Sequence, residues 1–278
     1  MAIALERFCI NRKIAPNLTL ENFFRLVKRC GLSKVELRND MSGGKVADNL
    51  SNEQLNALAE EFGIEIVTIN ALGMFNLLED QAALLKNAEA LLVQAKAIHS
   101  KAVVMCPHCN ASDRRSESQK REDTLAALRL LAPLFKQYGV EGYVEPLGFG
   151  MSSLRSSLLA QAIIRDSGAP YKIVLDTFHH YLSDIVQPEF DAQIRVEQIG
   201  LVHLSGVEDP LIKSALSDEE RIMLSDKDRL ASVAQVQNLE RLGYRGIYAF
   251  EPFSSQLNTW TEGDIEREIR HSIALLQG

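Results

Sequence analysis

The sequence predicts a (β/α)8 barrel, a TIM barrel in the α/β class, formed as one domain over residues 1–278. Three observations carry this expectation. Short β-branched or aromatic runs alternate with longer amphipathic segments until eight of each are counted. The 278 residues suit a fold that needs roughly 250 to close. The two long irregular stretches, 107–119 and 205–227, both follow strand-like runs, where barrels place their functional loops. An open doubly wound sheet would show the same local alternation, and periodicity does not separate the two.

In order, the run at 7–11 reads as a strand and 19–30 as a helix, in which Phe23, Phe24 and Val27 recur at helical spacing. Strand 35–38 precedes helix 52–62, which opens behind the N-cap residue Ser51 and stops at Gly63, and strand 64–70 follows. Helix 81–98, strand 102–106 and helix 121–138 come next, and Gly139 marks the stop before strand 140–145. Helix 154–166, strand 172–176, a helical region over 178–194, strand 200–204, helix 228–242, strand 246–251 and helix 263–276 complete the series.

Composition removes several functions. With 46% hydrophobic and 24% charged residues the chain is globular throughout. Thirty-seven acidic against 30 basic residues give a formal charge of −7, which repels a phosphate backbone, so nucleic acid is not expected as a partner. The apolar start at Ile3 to Ile10 is interrupted by Glu6 and Arg7 and is too short for a signal peptide or a membrane span. A cytoplasmic protein is expected, with Cys9, Cys30, Cys106 and Cys109 as free thiols.

Polar residues sit where the chemistry would be. Gly142-Tyr143-Val144 ends in Glu145, Ile173-Val174-Leu175 in Asp176, Leu201-Val202 in His203, and Tyr248-Ala249-Phe250 in Glu251. In a barrel all C-terminal strand ends face one mouth, so four consecutive units would bring these side chains together. Three carboxylates and an imidazole form a hard, oxygen-rich set suited to one divalent ion: Mn, Zn, Co or Mg. The competing reading, an ordinary solvated strand end, holds well for any one of them and less well for four in succession.

Val144-Glu145-Pro146, Val174-Leu175-Asp176-Thr177-Phe178-His179, His203-Leu204-Ser205-Gly206-Val207-Glu208-Asp209, Ser225-Asp226-Lys227-Asp228-Arg229 and Phe250-Glu251-Pro252-Phe253 together resemble the xylose-isomerase-like sugar isomerase and epimerase superfamily. Within it the chain looks most like the inosose (2-keto-myo-inositol) isomerases of inositol catabolism, and Ile69-Asn70-Ala71-Leu72 and Glu36-Leu37-Arg38 fit that subgroup. The resemblance implies that Glu145, Asp176, His203 and Glu251 ligate the metal, with Glu145 and Glu251 also moving protons on opposite faces of the sugar. It further implies substrate contacts from His179, Arg229, Asn70 and Arg38. A ketone and its neighbouring hydroxyl chelated to a divalent ion form an enediolate readily, so a nearby carboxylate can remove the adjacent proton. One departure concerns the substrate: Arg229 is followed by Leu230-Ala231-Ser232-Val233-Ala234 and not by the subgroup's Pro-Gly turn.

Other signals are set aside. Cys106-Pro107-His108-Cys109 has thiol-disulfide oxidoreductase spacing, but it follows the fourth strand of an eight-unit chain, and His108 is assigned to the pocket lining. Gly148-Phe149-Gly150 and Ser42-Gly43-Gly44 lack the spacing of a phosphate loop and read as flexible turns. The expected partner is a small sugar or cyclitol ketone, and an isologous homodimer is the base-rate assembly. The alternatives are an apurinic-site endonuclease, which calls for more metal ligands and a basic rim, and a sugar-binding relative without catalysis.

Overall fold

The computed structural model describes residues 2–41 and 43–278. Eight parallel strands close in chain order, and the closure settles the choice against an open sheet. They are β1 (Phe8–Asn11), β2 (Lys34–Arg38), β3 (Glu65–Leu72), β4 (Ala102–Met105), β5 (Glu141–Val144), β6 (Lys172–Asp176), β7 (Ile199–Leu204) and β8 (Ile247–Phe250). The seam is β1 against β8, with Phe8 opposite Tyr248 and Ile10 opposite Phe250. Around the barrel run α1 (Leu20–Arg29), α2 (Asn52–Phe62), α3 (Gln81–Ala97), α4 (Glu117–Tyr138), α5 (Ser157–Ser167), α6 (Thr177–Leu182), α7 (Gln187–Gln193), α8 (Ser232–Arg241) and α9 (Glu262–Gln277).

Local chemistry explains the boundaries. Ser51 and Gln54 form a reciprocal capping box at the start of α2, and Gly63 and Gly139 end α2 and α4 in the left-handed region, at φ 58° and 68°. Helix α4 begins at Glu117, four residues before the expected start, because the Ser116 hydroxyl accepts from the Gln119 amide. Helix α5 begins three residues late, at Ser157, because Ser156 caps it. The region 178–194 is two helices, not one: Asp184 takes φ 63°, and Pro188 sits in the first turn of α7. Helix α8 starts at Ser232 rather than 228, since the Asp228 carboxylate binds the amides of Val207, Leu230 and Ser232 and so ends the preceding loop.

The core has two parts. Strand faces and helices enclose a large apolar layer that includes Ile10, Val35, Ile69, Val103 and Phe250. Inside the barrel, Cys9, Val104, Tyr143, Val174, Leu201 and Ala249 form a smaller cluster. Each of these six lies two residues before a mouth residue: Asn11, Cys106, Glu145, Asp176, His203 and Glu251. Period-two alternation therefore stacks a polar layer directly above an apolar plug.

Gly148 is not a flexible turn: a Cβ there would lie 2.2 Å from the His179 carbonyl oxygen, so glycine lets this loop pack against α6. In the other glycine-rich turn Gly43 and Gly44 are left-handed, while Ser42 lies outside the described residues. Among the described residues no helix is long and apolar enough to cross a membrane.

Candidate metal centre

Glu145, Asp176, His203 and Glu251 converge at the C-terminal mouth from β5, β6, β7 and β8. Each offers a ligand atom, and these atoms all lie within 4.8 Å of one another. None of the four residues is more than 4% exposed. The donor set fits a divalent ion: three carboxylate oxygens and an imidazole nitrogen, buried together, could hold one among them. It is the one such group of at least three acidic, histidine or cysteine side chains among the described residues.

Asp176 is held by the helix it precedes. Its Oδ1 accepts from the amides of Phe178 at 2.7 Å and His179 at 3.1 Å, capping α6, and Oδ2 is left to face the cluster. His203 Nδ1 lies 2.7 Å from Glu145 Oε1 and 3.0 Å from Glu251 Oε2. Its Nε2 points the other way, 3.0 Å from Glu36 Oε2.

Two guanidiniums complete the charge balance. Arg38 is paired with both oxygens of Asp40, and its Nη1 donates to Glu251 Oε1 at 2.6 Å. Arg221, 1% exposed, donates through Nη2 to Asp176 Oδ2 at 2.5 Å and to Glu251 Oε2 at 3.1 Å. Its Nη1 is bound by Asp218, and the guanidinium lies between the rings of Phe178 and Phe253.

The proton affinities follow from these contacts. Burial alone would strip the proton from His203, but Glu251, Glu36 and Glu145 outweigh it and hold its pKa well above the ordinary value. Burial pushes Glu251 up, yet His203, Arg38 and Arg221 together bring it far below the usual carboxylate range. Asp176 goes up, because burial and the nearby Glu251 outweigh its pairing with Arg221. His179 is lowered to about 4 by burial and by the Arg221 charge. The thiols move away from reactivity: burial and Glu145 raise Cys106 well above the ordinary thiol, and burial takes Cys109 to about 11.

The remaining residues singled out from sequence fall into three groups. Arg38 and Asn70 are in the buried network, Asn70 donating to Glu36 Oε1 at 2.9 Å. His179 is buried with an unpartnered Nδ1 and edge-on contacts to Phe149 and Phe178. His108 is half-buried; its ring Nδ1 lacks a partner, while its backbone amide is fixed by Asn76.

Arg229 is not brought to the cluster: it is exposed, and its guanidinium makes no hydrogen bond or ion pair among the described residues. The loop arginine at the carboxylates is Arg221, alongside Arg38 of β2. The sequence carries the pattern Ser-Asp-x-acidic-Arg twice, at 217–221 and 225–229, and only the first copy reaches inward. Glu36, which the sequence marks only within Glu36-Leu37-Arg38, also lies in the buried network. Its signal was a lone acid between Val35 and Leu37 in an apolar strand, on the same strand face as Arg38.

The family described as Xylose isomerase-like TIM barrel matches residues 24–277. No match was found among curated proteins. Among solved structures, a xylose isomerase domain containing protein from Salmonella typhimurium LT2 is 51% identical over 100% of both chains, with a TM-score of 0.95. The IolI protein with a bound zinc atom is 18% identical, with 97% of this chain and 98% of that one covered and a TM-score of 0.88. An L-ribulose 3-epimerase is 19% identical over 98% and 93% of the two chains, with a TM-score of 0.75. A match over nearly the whole length, on a closed barrel with four strand-end donors at its mouth, means that the chain belongs to the xylose isomerase-like TIM barrel family.

Proposed function

We propose that this protein is a divalent-metal-dependent isomerase or epimerase acting in the cytoplasm on a keto-sugar or cyclitol ketone, with 2-keto-myo-inositol (inosose) as the leading substrate. The observation that carries the reading is the convergence of Glu145, Asp176, His203 and Glu251 within 4.8 Å. A zinc-bearing neighbour, the IolI protein, and a 3-epimerase neighbour on the same fold support it. A bound ion, Mn, Zn, Co or Mg, supplies Lewis-acid polarisation of a carbonyl.

The chain's own residues do the rest. Glu251 is held as a carboxylate by Arg38, Asn11 and Arg221, so its position is fixed from three sides. Glu145 is less encumbered: Oε1 faces His203, and Oε2 has the Cys106 thiol at 3.5 Å. Glu145 is therefore the base that takes the proton from the carbon beside the ketone and, now protonated, can return it to the neighbouring carbon; delivery on the opposite face would fall to Glu251 only after it had itself taken a proton from a substrate hydroxyl or water. If both faces are served, the product is an epimer; if one carboxylate shuttles the proton, it is an isomer. His179, neutral at pH 7 and with a free ring nitrogen, is placed to bond a substrate hydroxyl.

The endonuclease reading has less support, since the described residues hold one metal-binding group and the net charge is −7. The test is elemental metal content combined with proton exchange in deuterated water on 2-keto-myo-inositol and a ketohexose panel. About one ion per chain and exchange that is lost in Glu145→Gln are expected. A reconstituted protein that binds no ion sinks the reading.

A further inference from the structure

We propose that Glu36 is a positioning residue that fixes the ring of His203, taking the proton on Nε2 so that Nδ1 is the atom offered to the ion. This rests on the metal reading above and adds a residue outside the four ligands.

Both ring nitrogens of His203 face carboxylates, so the surroundings of those carboxylates decide which end carries the proton. Glu36 is fully buried inside the barrel. Its Oε1 accepts from Thr68 Oγ1 at 2.5 Å and Asn70 Nδ2 at 2.9 Å, and its Oε2 accepts from Asn11 Nδ2 at 3.0 Å. With His203 Nε2 at 3.1 Å from Oε1 and 3.0 Å from Oε2, four donors converge on one carboxylate, about its full capacity. Glu36 is thus anchored by three strands and has no lone pair left over for an ion. The imidazole lies between it and the other carboxylates, which rules it out as a fifth ligand in this arrangement.

At the other end, Nδ1 faces Glu145 and Glu251, both members of the ligand group. An imidazole that gives one nitrogen to an ion keeps its proton on the other. With an ion among Glu145, Asp176 and Glu251, the donor goes to the carboxylate outside that group, Glu36, which leaves the Nδ1 lone pair directed at the cluster. Such outer carboxylates orient metal-bound histidines, and their loss weakens metal affinity by about 10- to 100-fold.

The experiment uses the full chain labelled with 15N-histidine and loaded with zinc, with the His203 signal assigned by its loss in His203→Gln. Long-range 1H–15N spectra should show Nε2 protonated and Nδ1 at the metal-bound position. Zinc affinity, read by competition with a chromophoric chelator, should fall about 10- to 100-fold in Glu36→Gln, and the metal-free melting temperature is measured alongside. The wild-type spectrum tests the claim even if that variant does not fold. A His203 protonated on Nδ1 overturns the proposal, as does wild-type zinc affinity in Glu36→Gln. A variant that is merely less stable, with unchanged affinity, would give Glu36 a structural role only and also overturns it. If wild type itself binds no zinc, Mn, Co or Mg, the metal reading falls and the proposal falls with it.

Discussion

At the scale of single residues, the site depends on carboxylates with divided duties. Asp176 gives one oxygen to the start of α6 and the other to the cluster, so the helix holds this carboxylate in place. Arg221 stands opposite, fixed to Asp176, Glu251 and Asp218. Removing one partner of a buried ion pair leaves the other charge uncompensated. Arg221→Met should therefore destabilise the fold by about 3–5 kcal/mol, whereas Arg229→Met, at an exposed position, should stay within about 0.5 kcal/mol. Urea unfolding of the two variants checks this, and equal effects would contradict the placement of Arg221. In turnover, Glu145→Gln should lose about 100- to 10,000-fold while still taking up metal, because the general base is gone and three ligands remain. Loss of both together would mean that Glu145 serves only as a ligand. The four strand-end donors were readable from sequence because each interrupts an apolar run at the same point of its unit. The choice between Arg221 and Arg229 was not, because the same five-residue pattern occurs twice and only loop geometry selects one.

At the scale of elements, α6 is short but carries His179 beside the mouth residues Glu145, Arg221 and Glu251. Its position depends on Gly148, where a Cβ would also meet Leu182 Cβ at 2.7 Å. Gly148→Ala should displace α6 and weaken substrate binding through His179, seen as a higher KM for the ketone substrate with kcat less affected. On the same helix, His180 packs on Phe190 at a ring separation of 4.5 Å. Burial, with a smaller contribution from Lys213, lowers its pKa to about 4. The unfolded chain has a histidine near 6.5, so on acidification it takes up the proton first. The stability gained by keeping His180 neutral is whole above about pH 6.5 and is lost as pH falls toward 4, at up to about 1.4 kcal/mol per pH unit. His180→Phe should flatten the fall of unfolding free energy across that window, and an unchanged slope would count against burial as the cause. Helix existence was legible from apolar spacing and glycine stops. Boundaries at α4, α5 and α8 moved because single hydroxyls or carboxylates, Ser116, Ser156 and Asp228, capped backbone amides that a periodicity reading does not see.

At the scale of the molecule, the barrel turns separations in sequence into proximity. The local alternation of strands and helices is identical in open and closed sheets, so closure was legible only through length, the long loops after strands and the family resemblance; what decides it is the pairing of β1 with β8, between residues 8–10 and 248–250. That same closure places the candidate ligands on four adjacent strands, β5 to β8, and sets an acidic cluster above the apolar plug of Tyr143, Val174, Leu201 and Ala249. Metal binding should consequently stabilise the whole fold and not just a loop. An ion that binds only the native barrel stabilises it by mass action, by about 2.7 kcal/mol when free metal is 100 times Kd. Chelation should lower the melting temperature, and re-addition of Mn, Zn, Co or Mg should restore it in the order of their affinities. The rise should be absent in a protein carrying both Asp176→Asn and His203→Gln, measured against that variant's own metal-free melting point. An equal rise in that variant would place the ion elsewhere, and the four strand ends would then be joined by their arginine and histidine pairs alone.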